Sequence, residues 1–190
     1  MKNLFLIIGA PGSGKTTDAQ QIAQNDKDIA HFSTGELLRY EVASGSELGK
    51  LIETRMNKGE LVPVEVALNT IVKAIKNSTC NTILIDGYPR SFEQMIGLDT
   101  ILVHEKYIKL VSVIEIVVSY ETAKNRVLGR ARGSDDNIKV FENRMGIYNK
   151  PLKNIQKFYN VKNILHKISG EKDINSVVQD MSNFIKNKLA

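Results

Sequence analysis

Cysteine occurs once in this chain of 190 residues, at Cys80, which excludes an intrachain disulfide and any cysteine-built metal site. Histidine is nearly as scarce. His31, His104 and His166 stand far apart, none at the i,i+4 spacing that lets two imidazoles share a metal, and they read as structural residues. No apolar stretch approaches the ~20 residues of a membrane-spanning helix. The run after Lys2, Leu4 to Ile8, is also too short for the apolar region of a secretion signal. The chain is therefore expected in the cytoplasm, with no membrane partner. Internal repeats and low-complexity linkers are missing too, and 190 residues suit one compact domain. Arginine is rationed: only seven of the 26 basic residues are arginine, at 39, 55, 90, 126, 130, 132 and 144.

That rationing qualifies the charge. A net charge of +5 and a pI near 9.2 would ordinarily raise nucleic acid as a partner. The lysines, however, are dispersed as on a solvated surface, and no nucleic-acid partner is expected. Four of the seven arginines crowd into residues 126–144. A guanidinium is a planar fork suited to bidentate phosphate contact, which an ammonium is not. The arginines read as placed for anions.

What is present begins with Gly9-Ala10-Pro11-Gly12-Ser13-Gly14-Lys15-Thr16, a full match to G-x-x-x-x-G-K-[ST]. It follows the apolar run Leu4–Ile8 and precedes a helical pattern, the strand–loop–helix context a phosphate-binding loop needs. Glycines let the backbone wrap a phosphate while the helix N-terminus adds its positive dipole end. Lys15 supplies a point charge for the β- and γ-phosphates, and Thr16 a hydroxyl for Mg²⁺. A nucleoside triphosphate is the expected ligand.

The rest alternates strand and helix. Strands are expected at Leu4–Ile8, His31–Ser33, Thr82–Asp86, Val111–Val118 and Ile164–Ser169. Helices are expected at Lys15–Asn25, Gly35–Ser44, Glu47–Lys58, Val64–Asn77, Ser91–Val103, Glu121–Arg130, Asn137–Tyr159 and Asp173–Lys188. Asp173 is a plausible cap for the last, and Asp135 or Asp136 for the one before it. This alternation predicts an α/β fold with a doubly wound, five-stranded parallel sheet and helices on both faces. Two helices between Thr34 and Leu61 exceed what one crossover needs and look like an insertion. Gly45 and Gly59 bracket the second of them, as hinges or as ordinary helix ends.

Ile83-Leu84-Ile85-Asp86 is an apolar strand ending in a carboxylate, the arrangement that holds Mg²⁺ beside a phosphate-binding loop. Gly87-Tyr88-Pro89-Arg90 follows it. With these residues the sequence resembles the nucleoside monophosphate kinases, and most closely the adenylate kinases among them. The other matching pieces are Ser33-Thr34-Gly35-Glu36-Leu37-Leu38-Arg39, Gly59-Glu60-Leu61-Val62-Pro63, Gln94, Arg126-Val127-Leu128-Gly129-Arg130, and Asp135-Asp136 with Arg144. They stand in the family's order over residues 1 to about 145.

The resemblance implies a P-loop kinase fold with a core at about 1–32, 62–129 and 138–190, a monophosphate-binding insertion at about 33–61, and a short lid at about 130–137. It implies Mg²⁺-dependent phosphoryl transfer between ATP and AMP, giving two ADP, by a monomer. Gly12, Ser13, Gly14, Lys15, Thr16 and Thr17 would cradle ATP, with Arg126, Arg130 and, loosely, Lys172. Thr34, Arg39, Glu60, Leu61, Val62, Gly87, Tyr88, Pro89, Arg90 and Gln94 would form the AMP site. Arg132 and Arg144 would reach over the transferring group. The catalytic set is then Lys15, Arg90, Arg130, Arg132 and Arg144, with Mg²⁺ near Thr16 and Asp86, partly through water, and no zinc. Thr34 and Gln94 mark AMP rather than UMP or CMP as the acceptor, where pyrimidine enzymes carry Ala and Asn. Asp135 and Asp136 would serve closure or cap the next helix.

Other classes fit less well. A GTPase switch needs Asn-Lys-x-Asp and Asp-x-x-Gly strings, and neither occurs. Another P-loop small-molecule kinase shares the loop but has no use for Thr34, Tyr88-Pro89-Arg90 and Gln94 together. A nucleic-acid-binding ATPase rests on the pI alone.

Overall fold

The computed structural model of the chain describes residues 1–129 and 137–190. Among these, five strands form one all-parallel sheet: β1 (Lys2–Gly9), β2 (Ile29–Ser33), β3 (Thr82–Asp86), β4 (Ile108–Val117) and β5 (Leu165–Ser169), in the order β2-β3-β1-β4-β5. Eight helices connect or flank them: α1 (Lys15–Asn25), α2 (Thr34–Ala43), α3 (Glu47–Asn57), α4 (Val64–Asn77), α5 (Phe92–His104), α6 (Tyr120–Gly129), α7 (Ile138–Val161) and α8 (Ile174–Leu189).

The apolar strands are buried on both faces because successive side chains alternate across the sheet. Along β1, Leu4, Leu6 and Ile8 join Ile83, Ile85 and Val113 in one core with Ile71 of α4, Met95 of α5 and Ile155 of α7. Phe5 and Ile7 face the other way, into a core with Ile22 of α1 and Val177, Met181 and Ile185 of α8. The expected five strands, eight helices and double winding are all found. Leu38 of α2 and Ile52 of α3 share the first core, so both helices rest on the sheet's own packing.

Local signals explain the element ends. Ser46, Ser91, Asn137 and Asp173 each accept a backbone N–H in the first turn of α3, α5, α7 and α8. The cap of α7 is thus Asn137 rather than Asp135 or Asp136; those two lie outside the described residues. Gly45 and Gly59 each follow a helix end, with Gly59 N–H donating to the Met56 carbonyl and Glu60 N–H to that of Arg55. These bonds close α3 in the manner of a helix C-cap.

Topology fixes where ligands can sit. The loop after β1 leads to a helix on one face, and the loop after neighbouring β3 leads to a helix on the other. A crevice opens at the carboxyl ends of such a pair.

Candidate active site

The loop after β1 lies in that crevice. Gly12 has φ 82°, and a Cβ there would stand 2.3 Å from the Ala123 carbonyl, so only glycine lets the loop lie this close to α6. The helix that follows, α1, begins behind Gly14 with no side-chain cap. Its first N–H groups therefore face the loop, as an anion requires. Lys15 Nζ folds over the loop to the Ala10 carbonyl at 3.1 Å. Arg126, on α6, approaches from the side, Nη1 to the Ser13 carbonyl at 3.5 Å. Asp18 is buried beneath the loop, and burial raises its pKa to about 6 while the charges of Arg126 and Lys15 pull it down.

Asp86 closes β3 opposite Ile7 of β1 and Ser33 of β2. The carboxylate is buried. Its Oδ1 accepts the Thr16 hydroxyl at 3.1 Å and the Ser33 hydroxyl at 3.4 Å, and its Oδ2 pairs with His31 Nε2 at 2.6 Å. A hydroxyl and a carboxylate side by side are hard oxygen donors, suited to Mg²⁺. No group of three or more His, Cys, Asp or Glu gathers among the described residues. That donor set fits an ion held by one carboxylate, waters and the phosphates of its substrate rather than by a protein cage. His31 is the residue that sequence reading passed over. Its signal was its place two residues before Ser33, on the same side of a strand that enters the crevice.

The second half of the crevice is built from α2 and the loop after β3. Thr34, the first residue of α2, donates its hydroxyl to the Asp86 carbonyl at 2.8 Å. Gly87 has φ 75°, and a Cβ there would meet Arg90 Nη2 at 2.9 Å. The missing side chain lets Arg90 fold back so that its Nε donates to the Gly87 carbonyl at 2.8 Å. Gln94 Oε1 accepts the Arg90 N–H at 2.7 Å, which orients the amide and leaves its Nε2 as the donor for a ligand. Tyr88 is wholly buried and donates to the Gln94 carbonyl at 2.6 Å, so it supports this wall from behind.

A single cleft of about 450 Å³ spans both halves. Lys15, Thr16, Thr34, Arg39, Arg90 and Arg144 line it, as do Glu60, Leu61 and Val62 of the insertion, Gly87, Pro89 and Gln94. Arg90 is exposed along the open cleft, yet its guanidinium lies deep enough among protein atoms that burial is the first cause lowering its pKa. Arg144 and Arg39 add like-charge repulsion, and Asp86 opposes it. Three guanidiniums lining one space have the planar fork geometry that suits phosphate. Arg55, the one arginine given no role, binds Glu60 at 3.0 Å. The Lys172 ammonium binds Asp180 on α8 at 2.7 Å. Thr17 is exposed in the first turn of α1. Arg130 and Arg132 lie outside the described residues, as does the expected short lid apart from Asn137.

A family model for adenylate kinase matches residues 7–164 of this chain. An adenylate kinase of Campylobacter fetus is 63% identical over 189 residues, covering 100% of this chain and 99% of its own. One from Wolinella succinogenes is 62% identical over 190 residues, and one from Helicobacter hepaticus 57% over 190, each covering the whole of both chains. With the family model matching most of the chain and relatives this similar over their whole length, the chain belongs to the adenylate kinase family.

Proposed function

We propose that this phosphotransferase brings the two nucleotides of its reaction, ATP + AMP giving two ADP and the reverse, together along the single cleft between the loop after β1 and the loop after β3. The observation carrying this reading is the shared wall: Lys15 and Thr16 at one end, Arg39, Arg90 and Arg144 at the other, with Asp86 between. The chain's own backbone N–H groups at Gly12 to Thr17 hold the ATP phosphates, with Lys15 and Arg126. Thr34, Arg39, the segment Glu60–Val62, Gly87 to Arg90 and Gln94 hold AMP. Arg144, with Arg130 and Arg132, covers the group in transit.

No catalytic base is required. A phosphate monoester has a second pKa of about 6, so the acceptor oxygen is already anionic at neutral pH. The residues must instead hold two polyanions in line and spread the charge of the transition state. Thr16 and Asp86 would hold Mg²⁺, partly through water; when bound, the ion neutralises phosphate charge. The insertion and the lid form closing segments on one core, and closure excludes water that would otherwise take the phosphoryl group. We place the enzyme in the cytoplasm as a monomer. No helix of the described residues is long and apolar enough to cross a membrane.

Initial-rate kinetics with ATP and AMP varied together test the reading. Transfer inside one cleft gives intersecting double-reciprocal lines, because both substrates must be bound at once. Parallel lines would mean a phosphorylated enzyme and overturn it.

A further inference from the structure

Glu115 takes no part in the chemistry above, yet it is a buried carboxylate close to the site. It lies on β4 beside Ile8, one residue before the phosphate-binding loop begins, and is 2% exposed. Gln156 Nε2 donates to both of its oxygens, at 2.8 and 2.9 Å. Tyr148 Oη donates to Oε1 at 3.4 Å, and Lys167 Nζ stands 3.6 Å from Oε2. A buried carboxylate with this many partners is expensive to desolvate and is kept where it holds something in place.

What it holds is α7. That helix carries Arg144 into the cleft and has Pro151 in its interior. Proline lacks the N–H that would bond the Ile147 carbonyl, so the helix is weakest between its two halves. Tyr148 lies before the break and Gln156 beyond it, and both bind the same carboxylate. Tyr148 is also one turn from Arg144 on the cleft-facing stripe. Its ring packs with Ala10 of the loop, Val127 of α6, and Phe141 and Met145 of α7. Burial, seconded by the Glu115 charge, raises the Tyr148 pKa, so the phenol stays a neutral donor.

We propose that Glu115, Gln156 and Tyr148 form a positioning clamp. By tying both halves of the proline-interrupted helix to the sheet beside the phosphate-binding loop, it sets where the Arg144 guanidinium stands over the transferring group. The proposal rests on the role given to Arg144 above.

The test is the single-turnover rate of phosphoryl transfer, on full-length variants shown by thermal unfolding to be folded at the assay temperature. Gln156→Leu removes the donor at similar volume and is expected to slow transfer by about tenfold, with Tyr148→Phe the milder second variant at about threefold. The exchange Glu115→Gln with Gln156→Glu keeps a carboxylate facing an amide and is expected to return the rate to within about threefold of wild type. In an Arg144→Ala background, Gln156→Leu should cost less than about twofold more, because the residue it positions is gone. A stability role alone would lower the unfolding temperature and leave transfer intact, or slow it equally in both backgrounds; either result overturns the clamp. Arg144→Ala transferring at the wild-type rate would overturn the Arg144 role and the clamp with it. A slow Arg144→Ala with additive losses would overturn the clamp alone.

Discussion

The hydroxyl of Thr34 donates to the backbone carbonyl of Asp86 across 2.8 Å, joining the first residue of α2 to the end of β3. One bond thus couples the two halves of the cleft. The Thr34 hydroxyl has its proton committed, and only its lone pairs remain for the acceptor base that the proposed pocket would hold. Thr34→Ala removes the bond and leaves the Asp86 carbonyl short of a partner in a buried place. We expect kcat/KM for AMP to fall by about tenfold, corresponding to one hydrogen bond and its unsatisfied acceptor, and the ratio of AMP to CMP use to fall with it. Steady-state kinetics with both acceptors check this.

The Lys15 ammonium stands over the phosphate-binding loop, 3.1 Å from the Ala10 carbonyl. Lys15→Ala should lose at least about 3 kcal/mol of transition-state stabilisation, read as a fall of two orders of magnitude or more in kcat/KM. The fold should be unaffected, since the loop's shape comes from its glycines.

Gly87→Ala is expected to act on the other pocket. The φ of 75° strains any side chain, and its Cβ would fall 2.9 Å from Arg90 Nη2, displacing the guanidinium from the Gly87 carbonyl. AMP affinity should drop by about tenfold or more while ATP affinity changes little, as titration calorimetry with each nucleotide would show.

Strand and helix periodicity made nearly the whole scaffold legible. Val64–Asn77 and Thr82–Asp86 fall where patterning places them, because an amphipathic helix and a doubly buried strand each carry a strong period. Motif residues were legible for the same local reason: a loop of fixed spacing wraps a phosphate by itself. Contacts between distant segments were not. His31 reads as an ordinary histidine until β2 is seated beside β3 and its ring meets Asp86. Tyr88 reads as a ligand contact, yet its side chain is wholly inside the fold, bonded to the Gln94 carbonyl. The pairing of Lys172 with Asp180, eight residues on, likewise cannot be read from the local pattern.

Glu171 gives the chain a pH-dependent element at the start of α6. Its carboxylate accepts the Ser119 N–H and, at 2.8 Å, the Thr122 hydroxyl, tying the loop after β5 to the start of α6. The Ser119 backbone bond is the main cause holding its pKa below the usual glutamate value. A depressed folded-state pKa contributes stability above the unfolded-state value, lost as pH falls through the folded one. Glu171→Gln should therefore unfold at a lower temperature than wild type at pH 7 and converge with it as the medium is acidified below the glutamate range. Thermal melts across that range decide it; an undiminished gap at the acid end would rule out the charge as the cause.

The most direct test of the whole account is phosphoryl transfer from ATP in the presence of Mg²⁺, with AMP, CMP, UMP and GMP compared as acceptors by kcat/KM. Thr34 and the Nε2 donor of Gln94 predict rapid ADP formation with AMP and at least about a hundredfold preference over the other three, the discrimination expected of a site built to pair with one base edge. Equal or better transfer to CMP or UMP would contradict the acceptor pocket described here.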